Sequence, residues 1–209
     1  MMKTKFPQLA LFLLTLPVVW LVAVGSGIAQ QENLLGLFYD QEASIDELEI
    51  SGTGTHSLYL VLMQPVNNDF DGGSIQDVSL VGGFECLVSP ASGDVLLSAS
   101  YPLSALNVGD MSNQVVGYGS GLPVDSNHMV TLATFQVLTM GNNQEGYRLS
   151  PTNSPSIPNS MAYLDFSDPD DNLVDMIPAS GSFDRPVFTF GDFTIDEEQT
   201  WDTVKSLFK

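Results

Sequence analysis

Residues 57–63, SLYLVLM, place leucine at positions 58, 60 and 62, so that an apolar side chain recurs at every second residue. A period of two is typical of a β-strand, because successive side chains of a strand point to opposite faces. Short runs of this kind recur from residue 34 to about residue 193 and are separated by Gly, Pro, Asn, Asp and Ser, which predicts strands rather than helices. The clearest runs are residues 35–39, 57–63, 84–88, 95–99, 114–118, 129–138, 161–164 and 186–190.

Eight or nine short strands with no helical pattern between them predict an all-β fold, a β-sandwich over residues 30–193. Within it, Cys86 alternates with Phe84 and Val88, so we expect this single cysteine to be buried on the apolar face of a strand. The stretch 117–121, GYGSG, is predicted to be a glycine-rich turn.

The charge of the chain limits its partners. Among its 209 residues, 25 are Asp or Glu and only 6 are Lys or Arg, which gives a net charge of −19. Such a chain repels phosphate backbones, so nucleic acid is excluded as a partner, and anionic membrane surfaces are disfavoured.

The first 29 residues have the anatomy of a secretory signal peptide. Lys3 and Lys5 precede an almost wholly apolar run over residues 9–24, and the small residues Gly27 and Ala29 follow at a cleavage-site spacing. The run is shorter than the roughly 20 residues needed to span a bilayer. We therefore expect export to the cell surface or the medium, with the periplasm as an alternative, and membrane contact only through this segment before cleavage.

The last residues, 194–209, change from a period of two to a helical spacing. Thr194 and Glu197 fit a capping box, and acidic residues at the start with lysines at the end suit the helix dipole. A short amphipathic helix of this length needs a surface to pack on, either the sandwich itself or an export, anchoring or assembly partner. Its apolar face comprises Trp201, Val204, Leu207 and Phe208.

Two acidic stretches are candidate calcium sites. Asn67, Asp69 and Asp71 occupy the first, third and fifth positions of a pattern that resembles the first half of a calcium-binding loop, but Val78 stands where the final acidic ligand belongs. An ordinary hairpin loop is the alternative there, and a solvated loop is the alternative at the second stretch. The acidic residues of that second stretch are Asp165, Asp168, Asp170 and Asp171.

No residue pattern specifies catalysis, so the chain is expected not to be an enzyme, although a pair of carboxylates acting on a glycoside remains an open alternative. Carbohydrate binding would require exposed aromatic rings, and the region 30–193 contains no tryptophan. Tyr101, Tyr118 and Tyr147 are the candidate residues for stacking on a sugar ring from loops, and core packing is their alternative role.

The order of the segments 57–63, 82–86, 104–109 and 130–137 resembles the jelly-roll sandwiches of cohesins and carbohydrate-binding modules. The ending at residues 200–209, TWDTVKSLFK, resembles the C-terminal tails of uncharacterised exported bacterial proteins. These resemblances imply a non-catalytic module that binds a protein partner outside a bacterial cell. A carbohydrate-binding module and a self-assembling surface-layer or filament subunit are the alternatives.

Overall fold

A computed structural model describes residues 31–191 of the chain, apart from residues 72, 142 and 171. The expected signal peptide and the expected C-terminal helix, including Trp201, Val204, Leu207 and Phe208, lie outside the described residues. The described part is all-β and contains no helix, hence none that is long and apolar enough to cross a membrane. Its strands are β1 (Leu34–Phe38), β2 (Glu47–Leu48), β3 (Gly54–Met63), β4 (Val66–Phe70), β5 (Ser74–Asp77), β6 (Leu80–Ser89), β7 (Val95–Ser100), β8 (Ala105–Asn107), β9 (Asn113–Pro123), β10 (Met129–Thr139), β11 (Asn143–Ser150), β12 (Met161–Asp165), β13 (Leu173–Pro178) and β14 (Phe188–Phe190).

Twelve of these strands are connected by hydrogen-bonded pairing. One series runs β8-β9-β6-β12-β13, and a second runs β13-β1-β3-β10-β7, so that β13 belongs to both. The two series meet where β13 pairs in parallel with β1, whereas β1 pairs antiparallel with β3. The short strands β2 and β14 extend from β11, which pairs with the last residues of β6, and β4 and β5 form a separate hairpin.

The core lies between the inner faces of the two series. Leu58, Leu60 and Leu62 of β3 are fully buried, as the period of two predicts, in one cluster with side chains from β6, β9 and β10. The hydroxyl of Tyr118 on β9 donates a hydrogen bond to the carbonyl oxygen of Leu132 on β10, which ties one series to the other through the core.

Cys86 is buried between the inward-facing residues Phe84 and Val88, so the prediction for the single cysteine is confirmed. Burial raises the pKa of its thiol far above the usual range, because the thiolate would lose its hydration, and the neighbouring carboxylate of Glu85 adds to the effect. The thiol is therefore protonated and unreactive at neutral pH, and its role is to pack in the core.

Every strand-like run in the sequence coincides with a strand or overlaps one, but the described residues contain 14 strands rather than eight or nine. Two of the additional strands, β2 and β8, have only two or three residues, and β4 and β11 are largely polar. A strand this short or this polar shows no apolar alternation, so only its pairing partners reveal it.

Residues 117–121 lie within β9, so the prediction of a glycine-rich turn there is wrong. Gly117 pairs with Gly83 and Leu122 pairs with Val81, which leaves four residues of β9 opposite the single residue Gly82 of β6. The stretch therefore forms a wide bulge in a strand, and Gly121 supplies a φ of 68° that glycine adopts without strain.

Candidate functional site

The two acidic stretches that the sequence separates meet in the structure. Asn67 is the second residue of β4, whereas Asp165 ends β12 and Asp168 lies in the loop that follows. The side-chain amide of Asn67 donates to Oδ2 of Asp165 at 3.0 Å and to Oδ2 of Asp168 at 2.8 Å. We call these three residues the carboxylate–amide cluster, and each is at most 2% exposed.

All four carboxylate oxygens of the cluster accept hydrogen bonds. Oδ1 of Asp165 accepts from the backbone N–H and the hydroxyl of Ser167, and Oδ1 of Asp168 accepts from the N–H of Asp170. Oδ2 of Asp168 also accepts from the side chain of Asn172 at 2.9 Å. Two buried carboxylates are thus stabilised by donors that lie between them and around them.

These donors, first the N–H of Asp170 and then the amides of Asn172 and Asn67, hold the pKa of Asp168 below its ordinary value against the opposing effect of desolvation. A carboxyl whose pKa is lowered on folding stabilises the fold above its unfolded pKa. The contribution is lost as the pH falls through the lower, folded pKa, so Asp168 stabilises the fold at neutral pH and ceases to do so in acid.

The other predicted calcium ligands do not enter the cluster. The side chains of Asp69, Asp71 and Asp170 are exposed, and Asp171 lies outside the described residues. The three exposed residues contribute backbone N–H groups instead: that of Asp69 donates to Asn67 at 2.9 Å, and those of Asp170 and Asp71 donate to Asp168. Among the described side chains, no group of three or more His, Cys, Asp or Glu residues is placed to hold a metal ion.

Because hydrogen-bond donors already occupy all four oxygens, we expect the thermal midpoint of unfolding to be the same in millimolar Ca²⁺ and in chelator. Differential scanning calorimetry of the wild-type chain and of Asp168→Asn measures this. A midpoint that rises with Ca²⁺ in the wild type, and no longer rises in Asp168→Asn, would show instead that a cation neutralises the cluster.

The three tyrosines considered for sugar binding lie in or beside the core. Tyr118 and Tyr147 are buried, and the hydroxyl of Tyr147 donates to Oδ2 of buried Asp94 at 2.9 Å. Tyr101 is half-buried and donates to the side-chain oxygen of Gln114. Desolvation raises the pKa of all three hydroxyls. The rings of Tyr118 and Tyr147 pack against protein and offer no stacking face to a ligand, which corrects the expectation for these two residues.

The outer face of the β8-β9-β6-β12-β13 series carries an apolar surface that the sequence does not reveal. Directly paired residues form one row across the five strands. Leucines stand at both sides of this row, and two glycines lie side by side between them. The row consists of Leu106, Gly117, Gly83, Leu164 and Leu173.

We call this surface the glycine trough. Leu106 is 68% exposed and Leu173 is 48% exposed, which is unusual for leucine, and Gly117 is exposed between them. From β8 to β12 there are three strand spacings, about 14 Å in all. A cavity of about 190 Å³ lies over Gly83 and Gly117, with Leu164 and Leu173 on its wall.

One end of the trough is fixed by a buried acid. In the next row Glu85 pairs with Val115 and with Ala162 and, although it points to the outer face, is only 7% exposed. The backbone N–H of Ser156 donates to its Oε1 at 2.6 Å and the Ser156 hydroxyl to its Oε2 at 2.9 Å. The loop 151–160 is thereby held across this face, and it closes that end of the trough.

The two paired glycines differ in what a methyl group would meet, which gives a matched test of the trough floor. A Cβ on Gly83 would lie 2.5 Å from the carbonyl oxygen of Val116, whereas a Cβ on Gly117 would meet nothing within 4 Å. We expect Gly83→Ala to lower the free energy of unfolding by about 1–3 kcal/mol through overpacking. Gly117→Ala should leave it within about 0.5 kcal/mol of wild type. Urea unfolding measures both, and equal effects would contradict the described floor.

Comparison of the chain with protein-family models, with curated proteins and with solved structures finds no match in any of the three. The class of protein is therefore defined by its own features: an all-β fold with a hydrogen-bonded carboxylate–amide cluster and an exposed apolar trough.

Proposed function

We propose that this chain is a secreted or cell-surface, non-catalytic β-sandwich module that binds a protein partner through the glycine trough. The observation that carries the proposal is the row in which exposed Leu106, on one side, and half-buried Leu164 with exposed Leu173, on the other, flank Gly83 and Gly117. Contiguous exposed apolar surface is costly in water, and on soluble proteins it marks an interaction site.

The dimensions of the trough fit an element of protein structure. Its width of about 14 Å between β8 and β12 exceeds the 10–12 Å diameter of an α-helix only slightly. Because Gly117 is exposed and carries no side chain, a partner can approach the sheet backbone there. An amphipathic helix that lays its apolar side on Leu106, Leu164 and Leu173 is the occupant that suits this shape.

Charge further defines the partner. Arg148 and Arg185 are the only Lys or Arg residues in the range 31–191, and neither lines the trough. Glu85 lies beside the trough floor, and Asp175 is exposed in the same row, opposite Ala162. Basic residues beside the apolar stripe of a partner would therefore be favoured, and association would weaken as salt is added.

The place of action follows from residues 1–29, whose charged, apolar and small-residue regions support export. The similarity of residues 200–209 to the tails of exported bacterial proteins supports the same address. The resemblance of the strand pattern to cohesins supports binding of a protein over catalysis.

Self-assembly is a second candidate function, and strand β7 favours it. Among the described strands, β7 pairs only with β10, so its other edge is open. Its sequence, VLLSAS, contains no charge and no proline, and Val95 and Leu97 are about half exposed. Natural edges are usually blocked by charges, prolines or bulges, and β7 has only the bulge, at Leu97.

A binding screen tests the proposal. The chain, expressed from its complete reading frame and immobilised, is exposed to polysaccharides and to exported proteins of the producing bacterium, with and without prior protease treatment. We expect saturable binding that protease abolishes and that Gly117→Leu also abolishes. Binding that survives protease and requires a glycan would overturn the protein-partner proposal and favour a carbohydrate-binding module.

A further inference from the structure

A second concavity lies at one end of the described fold, away from the glycine trough. It has a volume of about 490 Å³, within the usual range for ligand sites, and three loops surround it. These are the β1–β2 loop, the β7–β8 loop and the β9–β10 loop. Its apolar walls include the buried residues Leu122 and Val130 and the exposed residue Leu103. We call it the end cavity.

Each of the three loops contains a non-glycine residue with a left-handed backbone. Ala43, Leu103 and His128 have φ values of 53°, 55° and 57°. A branched, bulky residue such as leucine rarely adopts this conformation, because its Cβ crowds the backbone. Residues held in such conformations concentrate at ligand-binding sites, where the surrounding structure enforces them.

Leu103 is unfavourable in two independent ways. Its backbone is strained, and its side chain is 62% exposed to water beside the cavity. Glycine would relieve the first cost and a polar residue the second, so neither stability nor solubility accounts for leucine here. An apolar contact made only when a ligand is bound does account for it.

The charges around the end cavity indicate what the ligand carries. Glu42 and Asp125 line it, and among the described residues no lysine, arginine or aromatic side chain does. Oδ1 of Asp125 accepts from the backbone N–H groups of Asn127 at 2.8 Å and Met129 at 2.9 Å, which fixes the position of this carboxylate. The absence of aromatic rings from the lining disfavours a sugar, and the two carboxylates favour a cation.

We propose that the end cavity binds a lysine or arginine side chain of a peptide, with the aliphatic part against Leu103 and the cationic group beside Glu42 and Asp125. Long basic side chains combine an apolar stem with a charged head, which matches an apolar wall with an acidic rim. The proposal concerns a site separate from the glycine trough and does not depend on the function proposed for it.

Two probes that differ in one ammonium group test the proposal. Acetyl-Leu-Lys-methylamide and acetyl-Leu-norleucine-methylamide are titrated into the ¹⁵N-labelled intact chain, and amide shifts are followed by NMR. We expect saturable shifts at the three loops with the lysine probe, at least about tenfold weaker binding of the norleucine probe, and weakening by salt. No saturable shift, or equal binding of the two probes, would overturn the proposal.

Leu103→Gly adds a readout of stability. We expect this variant to lose at least about tenfold in affinity for the lysine probe, while its thermal midpoint is held or rises by about 2–4 °C. Asn159→Gly is the control, because Asn159 has a φ of 62° in a loop that does not line the cavity, and its affinity should not change. Gly117→Leu should also retain full affinity. Unchanged binding by Leu103→Gly would contradict the site.

Discussion

Asn67→Asp should lower the free energy of unfolding by about 3–5 kcal/mol at neutral pH, the range found when a buried charge loses its partner. The substitution hardly changes the shape of the side chain. It replaces the amide that donates to Asp165 and Asp168 with a third acceptor of negative charge in a site that is almost fully buried. Three carboxylates would then share the space, and at least one would have to take up a proton or move into water.

The adjacent residue supplies the matched control. Asn68 is exposed on the same hairpin, so Asn68→Asp adds the same charge without entering the cluster and should stay within about 0.5 kcal/mol of wild type. Urea unfolding from neutral to acidic pH measures both variants. The deficit of Asn67→Asp should shrink as the pH falls, since protonation removes the repulsion. Equal stability of the two variants would contradict the described cluster, and rescue by Ca²⁺ would identify a cation site.

The second large effect concerns binding. Gly117→Leu should weaken attachment of the protein partner by at least about 100-fold, because a leucine side chain would fill the trough where the partner has to approach. A Cβ at this position meets nothing within 4 Å, so the substitution should spare the fold. Leu173→Glu, at the wall of the trough, should also weaken binding strongly.

A control for these variants lies on the other series of strands. Leu97 on β7 is as exposed as Leu173, at 48%, so Leu97→Glu makes the same chemical change away from the trough. Surface plasmon resonance measures how tightly the protease-sensitive ligands from the screen bind to the wild type, Gly117→Leu, Leu173→Glu and Leu97→Glu. Circular dichroism confirms that each of the four proteins is folded. Loss of binding in Leu97→Glu, with Gly117→Leu unaffected, would move the interface to the β7 edge and favour self-assembly.

Much of the fold could be predicted from sequence, because alternation of apolar residues depends on neighbours two positions apart. Leu58, Leu60 and Leu62 show this spacing directly, and Cys86 with its neighbours shows it again. The bulge at residues 117–121 could not be predicted, because glycine-rich sequence is typical of turns and only the pairing of Gly117 with Gly83 shows that the strand continues.

The sites depend on contacts between residues far apart in the chain. Asn67 and Asp165 are 98 residues apart. In sequence, the first stretch alone resembles an incomplete calcium loop and the second alone is an acidic loop; the hydrogen bond between them appears only when β4 and β12 are placed. The trough could not be predicted from the sequence either, because its row is formed by residues of five different strands. Tyr147 lies in a polar segment that gives no sign of its burial, because its partner Asp94 is 53 residues away.

Selection of binding peptides tests the central claim most directly. A phage-displayed library of helical peptides is selected against the intact chain, without assuming any natural partner, and the enriched peptides are then measured on the wild type, Gly117→Leu and Leu97→Glu. The glycine trough predicts that the enriched peptides carry an apolar stripe flanked by basic residues, and that they lose binding to Gly117→Leu but not to Leu97→Glu. Peptides that bind Gly117→Leu as tightly as the wild type would contradict the trough as the docking surface of this protein.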